Sequence, residues 1–338
     1  MKKLFFVSFC SLVICFAPVD TKAQTKSVVK IKTGQSRVQD NYQPINVEPS
    51  PALQALLNAA VGEAINKFSS KGLKSDYVAA TLIDLREPNN LKTANFRGEQ
   101  KIYPASVVKM FYMAALHRWL EDGKVKMTPE LERGLKDMIV DSSNEATQYI
   151  LDVLTDTSSG GELPPKEFKV WSFKRNAVNR YFASLGYERI NVNQKTFCED
   201  AYGREQQFRN YKGENRNMLT TNATAQLLAE IALGKIVTLE RSKQMMKLMK
   251  RDFSGTTTDQ DDQAHGFTAI ALNELKMTDA RLWSKAGWTS KTRHDAAYIE
   301  TPDGLKFVLV VFTENVANER DTIPSIARNI LQNIRTLK

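Results

Sequence analysis

Cysteine is scarce in this 338-residue sequence, which contains three. Cys10 and Cys15 lie in an apolar N-terminal stretch, and Cys198 is the only one outside it. A single cysteine cannot form an internal disulfide, so the fold does not depend on an oxidising compartment. The three histidines are scattered, and no group of Cys and His has the spacing of a metal site. We expect neither a metal nor another cofactor.

Long hydrophobic runs are absent beyond the N-terminus, which excludes a polytopic membrane protein. Residues 1–23 have the pattern of a signal peptide: two lysines, an apolar stretch at Leu4–Val19 and the small residue Ala23. That stretch is short for a membrane span. We predict a periplasmic or secreted protein with no stable membrane span after signal removal. Residues 24–50 are polar and predict a linker.

Long runs of like charge are missing as well. The formal net charge is +9, but basic and acidic residues are interspersed along the chain. This pattern is typical of a solvated surface and gives no sign of a nucleic-acid partner. We expect a monomer that acts on a small molecule, with a slight electrostatic bias towards anionic substrates.

Hydrophobic periodicity divides the chain at 51–338 into β-rich ends and a helical middle. The predicted strands are Asp76–Leu85, Arg281–Thr289, Asp295–Glu300 and Lys306–Thr313. The predicted helices are Pro51–Phe68, Ala105–Glu121, Pro129–Val140, Glu145–Leu154, Val170–Leu185, Asn222–Leu233 behind Thr221 as N-cap, Leu239–Arg251 and Arg320–Leu337. We predict an α/β (α+β) fold, in which the N- and C-terminal parts form one antiparallel sheet flanked by helices. An all-helical subdomain, at about 105–275, is inserted between them, and a cleft between the two parts is the natural ligand site.

A serine and a lysine lie three residues apart at the start of the most apolar helix. Ser106 and Lys109 would share one helix face, where an amine can activate a hydroxyl for nucleophilic attack. A helix cap and a solvated lysine are the simpler interpretation of S-x-x-K. The apolar segment Val107–Leu120 argues against it, because a solvated face is not evident there.

Two further short segments carry polar groups near predicted element ends. Asp141-Ser142-Ser143-Asn144 falls between two helices, where helix capping is an alternative role that can coexist with function. Lys285-Ala286-Gly287-Trp288 lies in a predicted strand, where the glycine indicates close approach of a ligand or another backbone. A bulge or an edge strand protected by lysine is the alternative.

In this order the three motifs resemble those of the penicillin-recognising serine hydrolases, most closely the class A β-lactamase family, over residues 51–338. The resemblance implies a β-lactamase/transpeptidase-like fold. It makes Ser106 the acylated nucleophile and Lys109 its general base. It also makes the Ser142 hydroxyl the proton donor to the departing lactam nitrogen.

The same resemblance implies the substrate-binding residues. Asn144 would hold the substrate side-chain amide, and Lys285 would supply positive potential for the substrate carboxylate. Gly287 would let the substrate lie along the strand. The backbone N–H groups of Ser106 and Trp288 would form the oxyanion hole.

This sequence departs from the family pattern at several positions. The second motif is S-S-N instead of S-D-N, and Ala286 replaces the hydroxyl residue of K-T-G. The interval between Ser106 and Ser142 is short for the family, which indicates that a loop flanking the substrate is trimmed. These departures leave the substrate preference open.

Hydrolysis also requires a base that activates water to release the acyl group. By the resemblance, the segment 202–216 corresponds to the Ω-shaped loop that carries a catalytic glutamate, and Glu205 is the candidate base. A surface carboxylate paired with Arg204 or Arg209 is the alternative for Glu205. The other acidic candidates in this region are Glu199, Asp200 and Glu214.

Three functions follow from these observations. The first is an exported β-lactamase that opens β-lactam rings through a Ser106 acyl-enzyme and so confers antibiotic resistance. The second keeps the nucleophile but acts on peptidoglycan-like substrates, as a penicillin-binding DD-peptidase or esterase. The third is an inactive periplasmic binding protein that retains the fold.

Overall fold

The computed structural model describes residues 42–197 and 200–337, which form a seven-stranded sheet with helices on both faces. The predicted signal peptide, residues 24–41 of the predicted linker, Cys198 and Glu199 lie outside the described residues. The strands are β1 (Val47–Pro49), β2 (Val78–Asp84), β3 (Leu91–Phe96), β4 (Lys250–Arg251), β5 (Arg281–Trp288), β6 (Thr292–Glu300) and β7 (Lys306–Glu314).

The sheet is built from both ends of the chain. Its strand order is β1-β3-β2-β7-β6-β5-β4, and all neighbours are antiparallel except β1 and β3. Strands β2 and β7 are buried on both faces, which explains why they are apolar almost without alternation. This architecture, with helices between the N- and C-terminal strands, confirms the predicted fold class.

Five of the described helices follow a residue whose side chain accepts from a backbone N–H of the first turn. Ser50 accepts from Leu53 N at 3.3 Å before α1, and Thr128 accepts from Leu131 N before α3. The cap of α8 is Thr220, not the predicted Thr221. The predicted helix Val170–Leu185 is two helices, α5 and α6. The helices are α1 (Pro51–Phe68), α2 (Val108–Glu121), α3 (Pro129–Ile139), α4 (Asn144–Thr155), α5 (Pro165–Arg175), α6 (Ala177–Ser184), α7 (Arg204–Arg209), α8 (Thr221–Ala232), α9 (Leu239–Met249), α10 (Thr268–Glu274) and α11 (Thr322–Asn333).

The last residues of the predicted linker belong to the fold. Strand β1 pairs in parallel with β3 at the edge of the sheet, a position that tolerates Pro49. The hydroxyl of Tyr42 donates to the buried carboxylate of Glu230 on α8 at 2.9 Å. The short, polar sequence of this segment has no strand periodicity, so its pairing could not be predicted.

Two large apolar clusters lie on opposite faces of the sheet. One contains α2, α8 and neighbouring helices of the middle segment, and the other contains α1, α10 and α11. Within the described ranges, no helix combines the length and apolarity that crossing a bilayer requires. The same ranges hold no group of three or more His, Cys, Asp or Glu arranged to bind a metal.

Candidate active site

Ser106 lies in a tight turn that leads directly into α2. Residues Ala105–Val107 form a short 3₁₀ helix, and the helical backbone continues at Val108. Ala105 has a φ of 45°, a left-handed conformation that a non-glycine residue adopts only where its surroundings hold it. Ser106 is half-buried at this bend, with Lys109 one turn further along. The structure therefore brings the two residues to one side of the α2 start.

Gly287 on β5 packs against the backbone of this turn. A Cβ at position 287 would lie 2.7 Å from Ser106 N and 2.9 Å from Pro104 O. These contacts are with backbone atoms that cannot rotate away. The glycine is therefore required by the turn that bears Ser106, a different reason from the open path for substrate that the resemblance suggested.

His294 on β6 supports the same turn from the sheet. Its Nδ1 accepts from Thr313 N at 3.2 Å, so the proton resides on Nε2, which donates to Tyr103 O at 2.9 Å. Burial lowers the pKa of His294 to about 4. The neutral ring thus connects the sheet to the chain three residues before Ser106.

Lys109 is fully buried and directed at the second motif. Its Nζ donates to Ser142 O, lies 3.2 Å from Ser142 Oγ and donates to Asn144 Oδ1 at 2.9 Å.

The second motif forms a sharp turn at the start of α4. Ser142 has a φ of 58°, and the hydroxyl of Ser143 accepts from Ala146 N at 3.0 Å as the N-cap of α4. The predicted capping role therefore belongs to Ser143. Because Ser143 caps the helix, the neighbouring Ser142 and Asn144 remain available to Lys109.

Lys285 on β5 meets the same serine from the opposite side. Its Nζ donates to Ser142 Oγ at 2.9 Å, to Ala286 O at 2.8 Å and to Gln263 Oε1 at 2.5 Å. Burial, and then the charges of Lys109 and Arg251, hold the pKa of Lys285 well below its usual range, while Asp295 opposes this. The Ser142 hydroxyl thus lies between two buried amines.

Gln263 is a site residue that the sequence analysis missed. Its Oε1 accepts from Lys285 Nζ and, at 3.2 Å, from Ala286 N, and its Nε2 donates to Val140 O at 2.9 Å. The side chain therefore joins β5 to the chain just before Ser142. Since Gln263 lies in an irregular loop, no local pattern marked it.

The edge of β5 presents backbone groups in a regular row. Thr289 N donates to Thr292 O, and hydrogen-bonded pairs alternate along an antiparallel ladder, so residues 284, 286 and 288 point their backbone groups away from β6. Arg251 donates to Ser284 O, and Gln263 accepts from Ala286 N. The next outward N–H in the row is that of Trp288, one residue beyond the contact of Gly287 with Ser106.

Glu205 lies in a different cluster. Its carboxylate accepts from Arg175 at 2.8 and 2.9 Å and from the Ser159 hydroxyl at 2.9 Å, with Lys195 Nζ at 3.5 Å. Arg175 also reaches Asp152, which lies eight residues beyond Asn144 on α4, about 12 Å along the helix axis.

This position differs from the one expected of a deacylation base. The structure does not bring Glu205 together with Lys109, Ser142 and Lys285: buried arginine and lysine hold its carboxylate at the far part of α4. Of the other acidic candidates, Asp200 pairs with Arg209 and Glu214 with Arg216. A sequence pattern could not reveal that Arg175, in another helix, is the partner of Glu205.

Comparisons with known proteins agree with this fold. The model of the β-lactamase enzyme family matches residues 60–334. The structure is similar to a β-lactamase from Sphaerobacter thermophilus DSM 20745, with a TM-score of 0.61 and 21% identity over 83% of this chain and 99% of that one. It is similar to PBP-A, with a TM-score of 0.57 and 18% identity over 87% and 100% of the two chains.

A third similar structure is a point mutant of the class A β-lactamase from the last common ancestor of Gram-negative bacteria, with a TM-score of 0.57 and 16% identity over 83% of this chain and 100% of that one. At these identities the likenesses concern the fold. No curated protein matches the chain significantly. The family match covers most of the sequence and includes all three motifs, and the chain therefore belongs to the β-lactamase enzyme family.

Proposed function

We propose that this chain is an exported serine hydrolase that opens β-lactam rings through an acyl-enzyme on Ser106. One observation carries the proposal: Lys109 and Lys285 meet at the Ser142 hydroxyl, beside the turn that bears Ser106. The signal-peptide pattern of residues 1–23 supports export.

In the acylation step, the Ser106 oxygen attacks the lactam carbonyl and its proton passes to the Lys109 amine, which must be unprotonated at that moment. Ser142 gives its own proton to the departing ring nitrogen and regains one from Lys109. The C–N bond breaks as the Ser106 ester forms. Buried Lys285 keeps positive potential at Ser142, and the outward N–H of Trp288 together with Ser106 N is suited to the developing oxyanion.

Intact mass spectrometry of the purified protein with benzylpenicillin tests the proposal. We expect a transient adduct on Ser106 and product release, with nitrocefin turnover that falls by at least about 10⁴-fold in Ser106→Ala. Turnover that survives Ser106→Ala would refute the mechanism. An absence of any adduct in the wild type would favour the inactive binding protein.

A penicillin-binding DD-peptidase or esterase is the second candidate, and the position of Glu205 favours it. A carboxylate held by Arg175 and Lys195 is poorly suited to activate water at Ser106. In this case the penicillin adduct persists for the length of the experiment, while a peptide or ester with a free carboxylate is turned over. Transient and persistent adducts are distinguished in the same mass spectra.

A further inference from the structure

A cleft of about 520 Å³ opens beside the proposed nucleophile. Tyr103 lines one wall, three residues before Ser106, a separation of at most about 10 Å even for extended chain. Thr289 also lines the cleft, two residues after Gly287, which packs against the backbone of the Ser106 turn. The cleft is therefore within reach of an acyl group bound to Ser106.

The floor of the cleft reaches the helix that carries Lys109. Gln194 and Asn217 line the cleft, and the hydroxyl of Tyr112, one turn after Lys109 on α2, donates to Gln194 O at 2.7 Å and lies 3.3 Å from Asn217 Oδ1. The described lining does not include Ser142, so the cleft and the proposed proton donor occupy different places beside the nucleophile. A substrate whose leaving nitrogen faces Ser142 would place its acyl side chain here.

The charged residues that line the cleft are not balanced. Of four cations, Lys195 is committed to Asp152 at 2.6 Å and Arg209 to Asp200. Arg216, whose partner Glu214 lies outside the lining, and Lys291 remain, and Glu314 is the other carboxylate among the described residues of the lining. Burial raises the pKa of Glu314. The cleft therefore has an excess of positive charge.

Arg216 is in the most favourable position to use that charge. Its guanidinium lies over the Tyr103 ring, 4.8 Å from the centroid, which holds the cation beside a residue three positions before Ser106. Its partner Glu214 is 3.3 Å away and exposed to solvent, a contact that contributes little. An arginine held in this way can offer paired N–H groups to a carboxylate.

We propose that this cleft binds the acyl side chain of the substrate and selects side chains that carry a carboxylate, with Arg216 as the specificity-determining residue. This inference rests on the proposed acylation of Ser106. It adds a second anionic group to the substrate, distinct from the carboxylate expected near Lys285.

Three penicillins that differ in one substituent test the inference. Benzylpenicillin, carbenicillin and ampicillin carry hydrogen, a carboxylate and an ammonium group, respectively, on the same side-chain carbon. The second-order rate constant for acylation of Ser106, measured by intact mass, is expected to be roughly fivefold to tenfold higher for carbenicillin than for benzylpenicillin. We expect ampicillin to be the slowest of the three.

Substitution of the arginine should remove the preference. In Arg216→Gln the carbenicillin-to-benzylpenicillin ratio is expected to fall to about one, and Arg216→Lys should restore part of it. Arg133→Gln, an exposed site on α3, removes the same charge elsewhere and should keep the wild-type ratio. A circular-dichroism melt confirms that each variant is folded.

Several outcomes would overturn the inference. Equal rates for carbenicillin and benzylpenicillin in the wild type would do so, and a preference for ampicillin would assign the cleft to cations through Glu314. A ratio lost equally in Arg133→Gln would indicate overall charge rather than Arg216. If none of the three penicillins acylates Ser106, the proposed function itself fails, which is a distinct result.

Discussion

Two buried charge clusters, both in contact with α4, differ in how their cations are compensated. In the first, the Lys285 amine donates to the Ser142 hydroxyl, the Gln263 amide oxygen and the Ala286 carbonyl oxygen, and Lys109 lies on the other side of Ser142. In the second, Arg175 and Lys195 are paired with the carboxylates of Glu205 and Asp152. In keeping with the function proposed above, we call these the catalytic cluster and the ion-pair cluster.

Under the proposed function, the difference separates a reactive site from a structural one. Neutral oxygens satisfy the N–H groups of Lys285 without cancelling its charge, so the catalytic cluster keeps a positive potential for an anionic ligand or transition state. Carboxylates cancel that potential, and the ion-pair cluster instead fixes α4, α5 and α7 relative to one another. Burial and charge alone do not distinguish the two; the type of acceptor does.

Breaking the ion-pair cluster should give the largest change in stability. Arg175 is fully buried, and Arg175→Met would leave Glu205 without its main partner, which costs about 3–5 kcal/mol of unfolding free energy. Urea denaturation followed by circular dichroism measures this. Arg133→Met on exposed α3 is the control and should change stability by less than about 0.5 kcal/mol. Equal midpoints for the two variants would contradict the structural role.

Removing the Lys285 cation from the catalytic cluster should slow acylation but, unlike Arg175→Met, should not lower stability. In Lys285→Met we expect acylation of Ser106 to slow by about 100-fold, because the positive potential at Ser142 is lost. Stability should be unchanged or rise by about 1 kcal/mol, since a buried amine with a lowered pKa is replaced by an apolar group. A loss of stability like that of Arg175→Met would show that the two clusters are equivalent.

Acid should lower the free energy of unfolding through His294, the neutral histidine that supports the turn bearing Ser106. Folded His294 has a pKa of about 4, below the value of about 6.5 in the unfolded chain, so the unfolded state binds more protons as pH falls from 6.5 towards 4. This removes about 2 kcal/mol of stability at pH 5 relative to pH 8.

Urea midpoints across that pH range for wild type and His294→Gln measure the contribution. His117, whose pKa burial also lowers to about 4, adds a decline of the same sign that remains in the variant. The His294 prediction fails if the wild type and His294→Gln show parallel stability curves.

Gln263→Glu should give Lys285 a carboxylate partner, like those of the cations in the ion-pair cluster. A carboxylate would replace the amide oxygen that lies 2.5 Å from Lys285 Nζ, compensate its charge and raise its pKa. We expect acylation to slow about tenfold at neutral pH, with the loss smaller in acid, where the new carboxyl is protonated. The exposed Gln244→Glu on α9 is the matched control. A rate independent of the Gln263 substitution would mean that the type of acceptor does not matter.

The elements predicted most reliably from sequence are those with local signals. Two examples agree closely with the predicted bounds: helix α1, which has Ser50 as its N-cap and begins at Pro51, and the apolar strand β7. The start of β6 was missed because Thr292, Arg293 and His294 are polar yet buried. Their burial depends on both sheet faces being covered, which no local window of sequence contains.

The candidate site shows the same division. Ser106, Lys109 and the Ser142 turn are contiguous motifs, and their convergence with Lys285 could be anticipated. The roles of Gln263 and Arg175 depend on partners far away in the sequence, so hydrogen bonds rather than patterns reveal them. Gln263 as the acceptor of Lys285 and Arg175 as the partner of Glu205 could therefore be identified only from the folded structure.

The first turns of α2 and α4 lie next to each other, because Lys109, the second residue of α2, donates to Asn144, the first residue of α4. The aligned peptide dipoles of a helix give its first turn a partial positive charge, and here two such ends surround one small volume. This part of the local field comes from the main chain, so titration or exchange of side chains leaves it intact. Some attraction for anions should therefore persist even in variants that no longer react.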